Sequence, residues 1–212
     1  MQTSRRDIFA TIKTEGGIVP ADLLVRIAEG DAALEGLTPD AYHLAKSERL
    51  NEATNRAWNR LQGAWESYRT AMEKLPESDA GTSLTRERWL LILFQELGYG
   101  RLQAAKAAEI DGRAYPISHT WQAVPIHLVS FRQELDRRTP GTRGASRVSP
   151  HSLIQEFLNH SEGCLWGFAA NGLKLRLLRD NRSLTRAAYV EFDLAAMMDG
   201  EAYSDFALLY LL

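Results

Sequence analysis

Residues 163–194, GCLWGFAANGLKLRLLRDNRSLTRAAYVEFDL, constrain this chain more than any other segment. Two apolar runs flank Asn171-Gly172, and that dipeptide between strand-like runs is the strongest short-range signal for a two-residue hairpin turn. Leu165, Phe168, Leu173, Leu175 and Leu177 supply the apolar positions, and Lys174, Arg176 and Arg179 lie between or just beyond them. The reading is a hairpin with one buried and one cationic face. Such a hairpin cannot stand alone in water, so it requires more strands or a covering helix.

The first half of the chain is built for helices. Pro20 opens a segment in which Leu23, Leu24, Ile27 and Ala28 share one helix face. Thr38-Pro39-Asp40 is a second start signal. Then Leu50, Thr54, Ala57, Leu61, Trp65, Tyr68, Met72 and Leu75 recur at alternating spacings of four and three, with Trp58 beside the stripe. This is one long amphipathic helix ending near Pro76, whose stripe either packs on its own domain or serves a partner. The loop Pro76–Ser83 divides the chain into a helical subdomain, 1–80, and an α/β subdomain, 84–212. Thr85 reads as the cap of a helix that Gly98 ends.

Beyond it, Tyr115–His119 and Ala123–Phe131 read as two short strands around a turn at Thr120–Gln122. Residues 139–149, TPGTRGASRVS, have loop composition, and Ser149-Pro150 starts a helix. A turn at Asp180–Leu184 leads to the strand AAYVEFDL and a terminal helix. The expected class is α+β, with α/β as the alternative: a helical half, then a small mixed sheet with flanking helices. The run DFALLYLL at 205–212 either docks internally or marks a polypeptide that continues.

Charge is distributed unevenly. Residues 1–100 carry 12 Lys/Arg against 15 Asp/Glu, residues 101–186 carry 13 against 7, and residues 187–212 carry none against 5. A basic middle suits a polyanion-facing surface. The candidate DNA-binding residues are Arg137, Arg138, Arg143 and Arg147 on and beside the Gly-rich loop. Lys174, Arg176, Arg179, Arg182 and Arg186 on and after the hairpin complete the set. Guanidinium donors match phosphate oxygens. The bland alternative is solvated or charge-paired arginine, with Asp136, Glu156 and Asp180 near in sequence.

Signatures of catalysis are missing from the sequence. It contains no dinucleotide glycine motif, phosphate loop, Gly-x-Ser-x-Gly or His-Glu-x-x-His. One cysteine, Cys164, excludes an internal disulfide. His119 and His127 fall on neighbouring expected strands but lack a third metal ligand. The helix–sheet–helix order is similar to a PD-(D/E)xK nuclease core, with Glu96 on the first helix and Gln155 on the second. Its strands carry no Glu-x-Lys, so that core would be degenerate. No apolar run approaches the ~20 residues of a bilayer span, and the expected compartment is the cytoplasm.

Six phrases in order, RLNEATNRAWNRLQGAW, LTRERWLLILFQELGYGRL, YPISHTW with VPIHLVSF, SPHSLIQEFLN and LWGFAANGLKLRLLRDNRSLTRAAYVEFDL, resemble the N-terminal region of large Eco57I-type restriction–modification methylases. Adenine methylases of phage-defence systems, DISARM-like and BREX-like, belong to that group. The resemblance implies a parent protein that transfers a methyl group from S-adenosylmethionine to adenine N6 of a flipped base. The implied partners are DNA, a downstream methyltransferase domain and other defence-system subunits. The Asn-Pro-Pro-Tyr catalytic motif of that family is absent here, so no catalytic or cofactor residue carries over. The alternatives are a protein-interaction module built on the long helix and a metal-dependent nuclease using Glu96.

Overall fold

The computed structural model describes residues 9–45, 47–141, 145–180 and 187–212. Arg143, Arg182 and Arg186, and most of the expected turn at 180–184, lie outside the described residues.

A seven-stranded mixed sheet organises the chain. Its strands are β1 (Ile12–Glu15), β2 (Gln103–Ala104), β5 (His119–Trp121), β6 (Val124–Leu128), β7 (Trp166–Ala170), β8 (Lys174–Arg179) and β9 (Tyr189–Asp193), in the order β1-β9-β8-β7-β6-β5-β2. β3 (Ala108–Ile110) and β4 (Arg113–Tyr115) form a separate antiparallel pair. All pairings in the large sheet are antiparallel except β6 with β7. That parallel pair needs a crossover, which is supplied by a loop and the helix Pro150–His160.

One face of the sheet is covered by helices α1 (Ala21–Ala28), α2 (Leu50–Glu73), α3 (contiguous segments Thr82–Thr85, Arg86–Leu90, Leu91–Phe94 and Gln95–Tyr99), α5 (Leu194–Asp199) and α6 (Tyr203–Leu211). The other face is covered by α4 (Pro150–His160) and the β3–β4 hairpin, over a smaller core containing Tyr115, Ile117, Val129, Leu153, Ile154, Leu158, Ala169 and Leu178. The class is therefore α+β.

The apolar stripe of α2 forms the helix expected from its spacing, and Ala53, Ala57, Leu61, Trp65 and Tyr68 are buried. Trp65 and Trp89 of α3 meet edge-on at 5.1 Å, and Tyr68 stacks on Trp89 at 6.2 Å. The stripe thus packs on its own chain. α2 and the strands share one core, β1 pairs with β9, and the connection between α2 and α3 runs only from Lys74 to Gly81. The apolar run 205–212 folds back as α6, with Phe206 against Trp58 at 5.1 Å.

Three local expectations shifted. The helix start expected at Thr85 lies at Thr82, after Gly81 in the left-handed region (φ 71°). Thr85 is instead buried, its hydroxyl donating to the Gly81 carbonyl (2.8 Å). The strand expected at 115–119 begins only at His119, since Pro116 has no N–H for a ladder and Ile117 turns back onto the Tyr115 carbonyl (2.8 Å). The start at Thr38-Pro39 yields a single turn, Pro39–Tyr42, because His43 takes a left-handed conformation (φ 55°).

Candidate nucleic-acid interface

The Asn171-Gly172 turn forms where expected, with Gly172 at φ 85°. It is not a surface turn. A Cβ on Gly172 would stand 2.7 Å from Thr85 Cγ2 and 2.8 Å from the Tyr68 hydroxyl, and the Gly172 carbonyl accepts from Trp89 Nε1 (2.8 Å). The Asn171 side chain accepts from the N–H groups of Leu173 (3.1 Å) and Lys174 (2.8 Å). Its amide donates to the Gln133 carbonyl (2.8 Å). The turn is therefore wedged between α2–α3 and the loop that follows β6.

Strand alternation then sorts the hairpin's cations. Leu175 and Leu177 belong to the helical core, and Leu178 to the α4 core. Lys174 and Arg176 therefore lie on the α4 face, and Arg179 on the opposite one. The expected single cationic face does not form, because both faces of the central strands are covered. Leu165, expected as a strand position, precedes β7 and is 57% exposed.

Arg176 is 3% exposed and is the centre of a charged cluster. Its Nε donates to Glu191 (2.5 Å), directly opposite on β9, and its terminal nitrogens donate to both oxygens of Asp136 (2.5 and 2.7 Å). The guanidinium lies 4.3 Å from the Tyr189 ring centre, and a terminal N–H reaches His151 Nδ1 at 3.2 Å. Lys174 Nζ completes the cluster on Glu191 (2.9 Å). Burial opposes the charge on Arg176, but the two carboxylates outweigh it and raise its pKa. Hydrogen bonding from Arg176 lowers the Asp136 pKa. Burial pushes the Glu191 pKa up, and bonds from Lys174 and Arg176 bring it below the usual range. His151 falls to about 4, through burial and then the Arg176 charge, so it is a neutral acceptor at pH 7.

With its donors committed inward, Arg176 is unsuited to the phosphate-contacting role expected of it. It does something else. Asp136, bonded bidentately to Arg176, fixes the segment before the arginine loop. Around it, Leu135 accepts from the His151 N–H (2.9 Å), and Gln133 from Asn171. The Thr139 N–H donates to the Ala145 carbonyl (2.7 Å), closing the loop at its neck. Arg137, Arg138 and Arg147 leave from either side of that neck, all exposed. Arg137 pairs with Glu134 (3.2 Å), and both side chains are exposed. Arg138 and Arg147 make no ion pair among the described residues. Arg179 lies at the other end of β8, its guanidinium 5.3 Å from the Trp166 ring centre.

Sequence reasoning marked the loop and the hairpin and named Asp136 as a possible partner of the arginines, but missed Glu191 and His151 as groups joining them. A signal existed in Glu191, a charge in an otherwise apolar strand.

The nuclease-like arrangement is not brought together. Glu96 on α3 faces Arg60 of α2 (3.4 Å), whereas Gln155 on α4 donates to the Arg179 carbonyl (2.9 Å) across the sheet. His119 pairs in register with Ile126, so it and His127 point to opposite faces. Among the described residues, no group of three or more His, Cys, Asp or Glu side chains is placed to hold a metal. No described helix is long and apolar enough to cross a membrane. No protein-family model, curated protein or solved structure matches this chain.

Proposed function

We propose that this chain is a DNA-engaging and scaffolding region of a bacterial adenine-specific DNA methyltransferase of the restriction–modification or phage-defence type. S-adenosylmethionine and the methyl transfer belong, on this reading, to a downstream domain of the cytoplasmic parent protein. The supporting observation is the arginine loop, closed at its neck and held to the sheet by Asp136–Arg176, with Arg137, Arg138 and Arg147 turned to solvent. Such a loop offers positive charge from a rigid base, which suits backbone phosphates rather than base edges. Lys174, half exposed at the same end of the hairpin, adds to it.

The test is duplex DNA binding by fluorescence anisotropy across a salt series. Neutralising three phosphates predicts a loss of roughly 40-fold in affinity between about 50 and 200 mM salt. Replacing Arg137, Arg138 and Arg147 with Glu should abolish that binding. Unchanged affinity in this triple variant would sink the proposal. An equal loss from Arg179→Glu alone would move the interface to the other face.

A further inference from the structure

Between the β3–β4 hairpin and the far side of the arginine loop lies a pocket of about 250 Å³. Arg113 and Ala114 of β4, with Pro116 just beyond, line it from the hairpin. Ser146, Arg147 and Val148 line it from the loop, and Leu153 from α4. Two of these residues are cationic, and none of the described lining residues is acidic.

Arg113 is held from two sides. Its Nη2 donates to Glu156 of α4, and its guanidinium lies 5.3 Å from the centre of the buried Tyr115 ring. Nε and Nη1 make no hydrogen bond among the described residues, so most of the donor fork is uncommitted. Arg147, exposed and without an ion pair among the described residues, supplies a second guanidinium, and the exposed Ser146 supplies a hydroxyl. Glu156 offsets part of the Arg113 charge, and Arg147 leaves the wall net positive.

Charge and shape together select the occupant. A net positive wall favours an anion. The three terminal oxygens of a phosphate can match two guanidinium groups and a hydroxyl at once, whereas a carboxylate offers only two oxygens. Pro116, Val148 and Leu153 give a bare inorganic anion little to contact, but they suit the C–H surface of a small carbon skeleton. We propose that this pocket binds a phosphomonoester, its phosphate taken by Arg113, Arg147 and Ser146 and its carbon skeleton by the apolar residues. Two sources share that chemistry, a free sugar phosphate and the 5′-phosphorylated end of a nucleic-acid strand. The site does not rest on the DNA-binding reading, although Arg147 serves both.

The experiment is phosphorus NMR and calorimetric titration of the full chain at constant ionic strength. The probes are ribose 5-phosphate, ribose, acetate, and a short single strand with and without a 5′-phosphate. Saturable binding of ribose 5-phosphate but not ribose is the expected result. Arg113→Gln and Ala114→Phe should each weaken it about tenfold or more. Ala114 is exposed, so the phenylalanine fills the pocket without entering the core, and thermal unfolding checks that both variants fold. A strand end is the source if the 5′-phosphorylated strand binds more tightly than both ribose 5-phosphate and its 5′-hydroxyl counterpart; otherwise the source is a free phosphomonoester. Absence of saturable binding at millimolar concentration, equal affinity for acetate, or unchanged affinity in either variant would overturn the proposal. The Arg137→Glu/Arg138→Glu variant keeps Arg147 and should retain ribose 5-phosphate binding while losing duplex affinity, which separates this site from the DNA-binding reading.

Discussion

On the helical face of the sheet, Trp65, Tyr68, Trp89 and Phe94 interlock with Phe168, Leu175 and Leu177, and hydrogen bonds there serve mainly to seat ring nitrogens and hydroxyls. On the α4 face, near β8 and β9, the same sheet presents Lys174, Arg176, Tyr189 and Glu191 to Asp136 and His151. The first face gains stability from apolar area and ring contacts, which tolerate salt and pH. The second holds Arg176 and Glu191 away from water, which is favourable only while each keeps its partners. The difference separates work: one face makes the fold, and the other fixes where a loop sits.

Truncation on the apolar face should produce the largest effect. Trp89→Ala empties the contact of α2 with α3 and strands the Gly172 carbonyl, and should cost about 4 kcal/mol in chemical denaturation. Arg176→Met should follow at about 3 kcal/mol, because Glu191 stays buried with Lys174 as its remaining cation. The double variant Arg176→Met/Glu191→Met sharpens the contrast. It should recover much of that stability while weakening DNA binding, since Asp136 still loses its anchor. If the double variant binds DNA like the parent, the cluster does not position the loop.

The pH response is the next smaller effect. His151 titrates near pH 6.5 when unfolded and about 4 when folded, so the unfolded chain takes up more protons between those values. Stability should therefore fall as pH drops from about 6.5 toward 4, by about 2 kcal/mol from His151. His119, also lowered to about 4 by burial and then Arg86, adds to it. Asp136 and Glu191, with lowered pKa values, contribute above the usual carboxylate range and lose that contribution as pH falls further. Denaturant midpoints at several pH values, compared with His151→Gln, measure the first part. A parallel decline in both proteins would remove His151 from the account. Arg138→Ala should change stability by less than about 0.5 kcal/mol, an exposed side chain with no ion pair among the described residues. A larger loss there would mean that the arginine loop is structural.

Much of the fold was legible because it is local. The 3-and-4 spacing from Leu50 to Leu75 specifies α2, Ser149-Pro150 specifies the start of α4, and Asn171-Gly172 specifies the hairpin. The site was less legible. Lys174, Arg176 and Arg179 look alike in sequence, yet alternation and the covering of α4 give them three different surroundings. Gly172 reads as a turn glycine, but its second requirement, contact with Thr85 and Tyr68, involves residues about ninety and a hundred positions away.

The sequence by itself determined α2, the start of α4 and the β7–β8 hairpin, since helix periodicity, caps and turn residues act over a few positions through backbone geometry and apolar patterning. Only the tertiary structure decided the pairing of β1 with β9 and the enclosure of Arg176. It also decided which arginines reach solvent. Burial and charge pairing depend on which distant segments meet, and a linear pattern carries no distance between them.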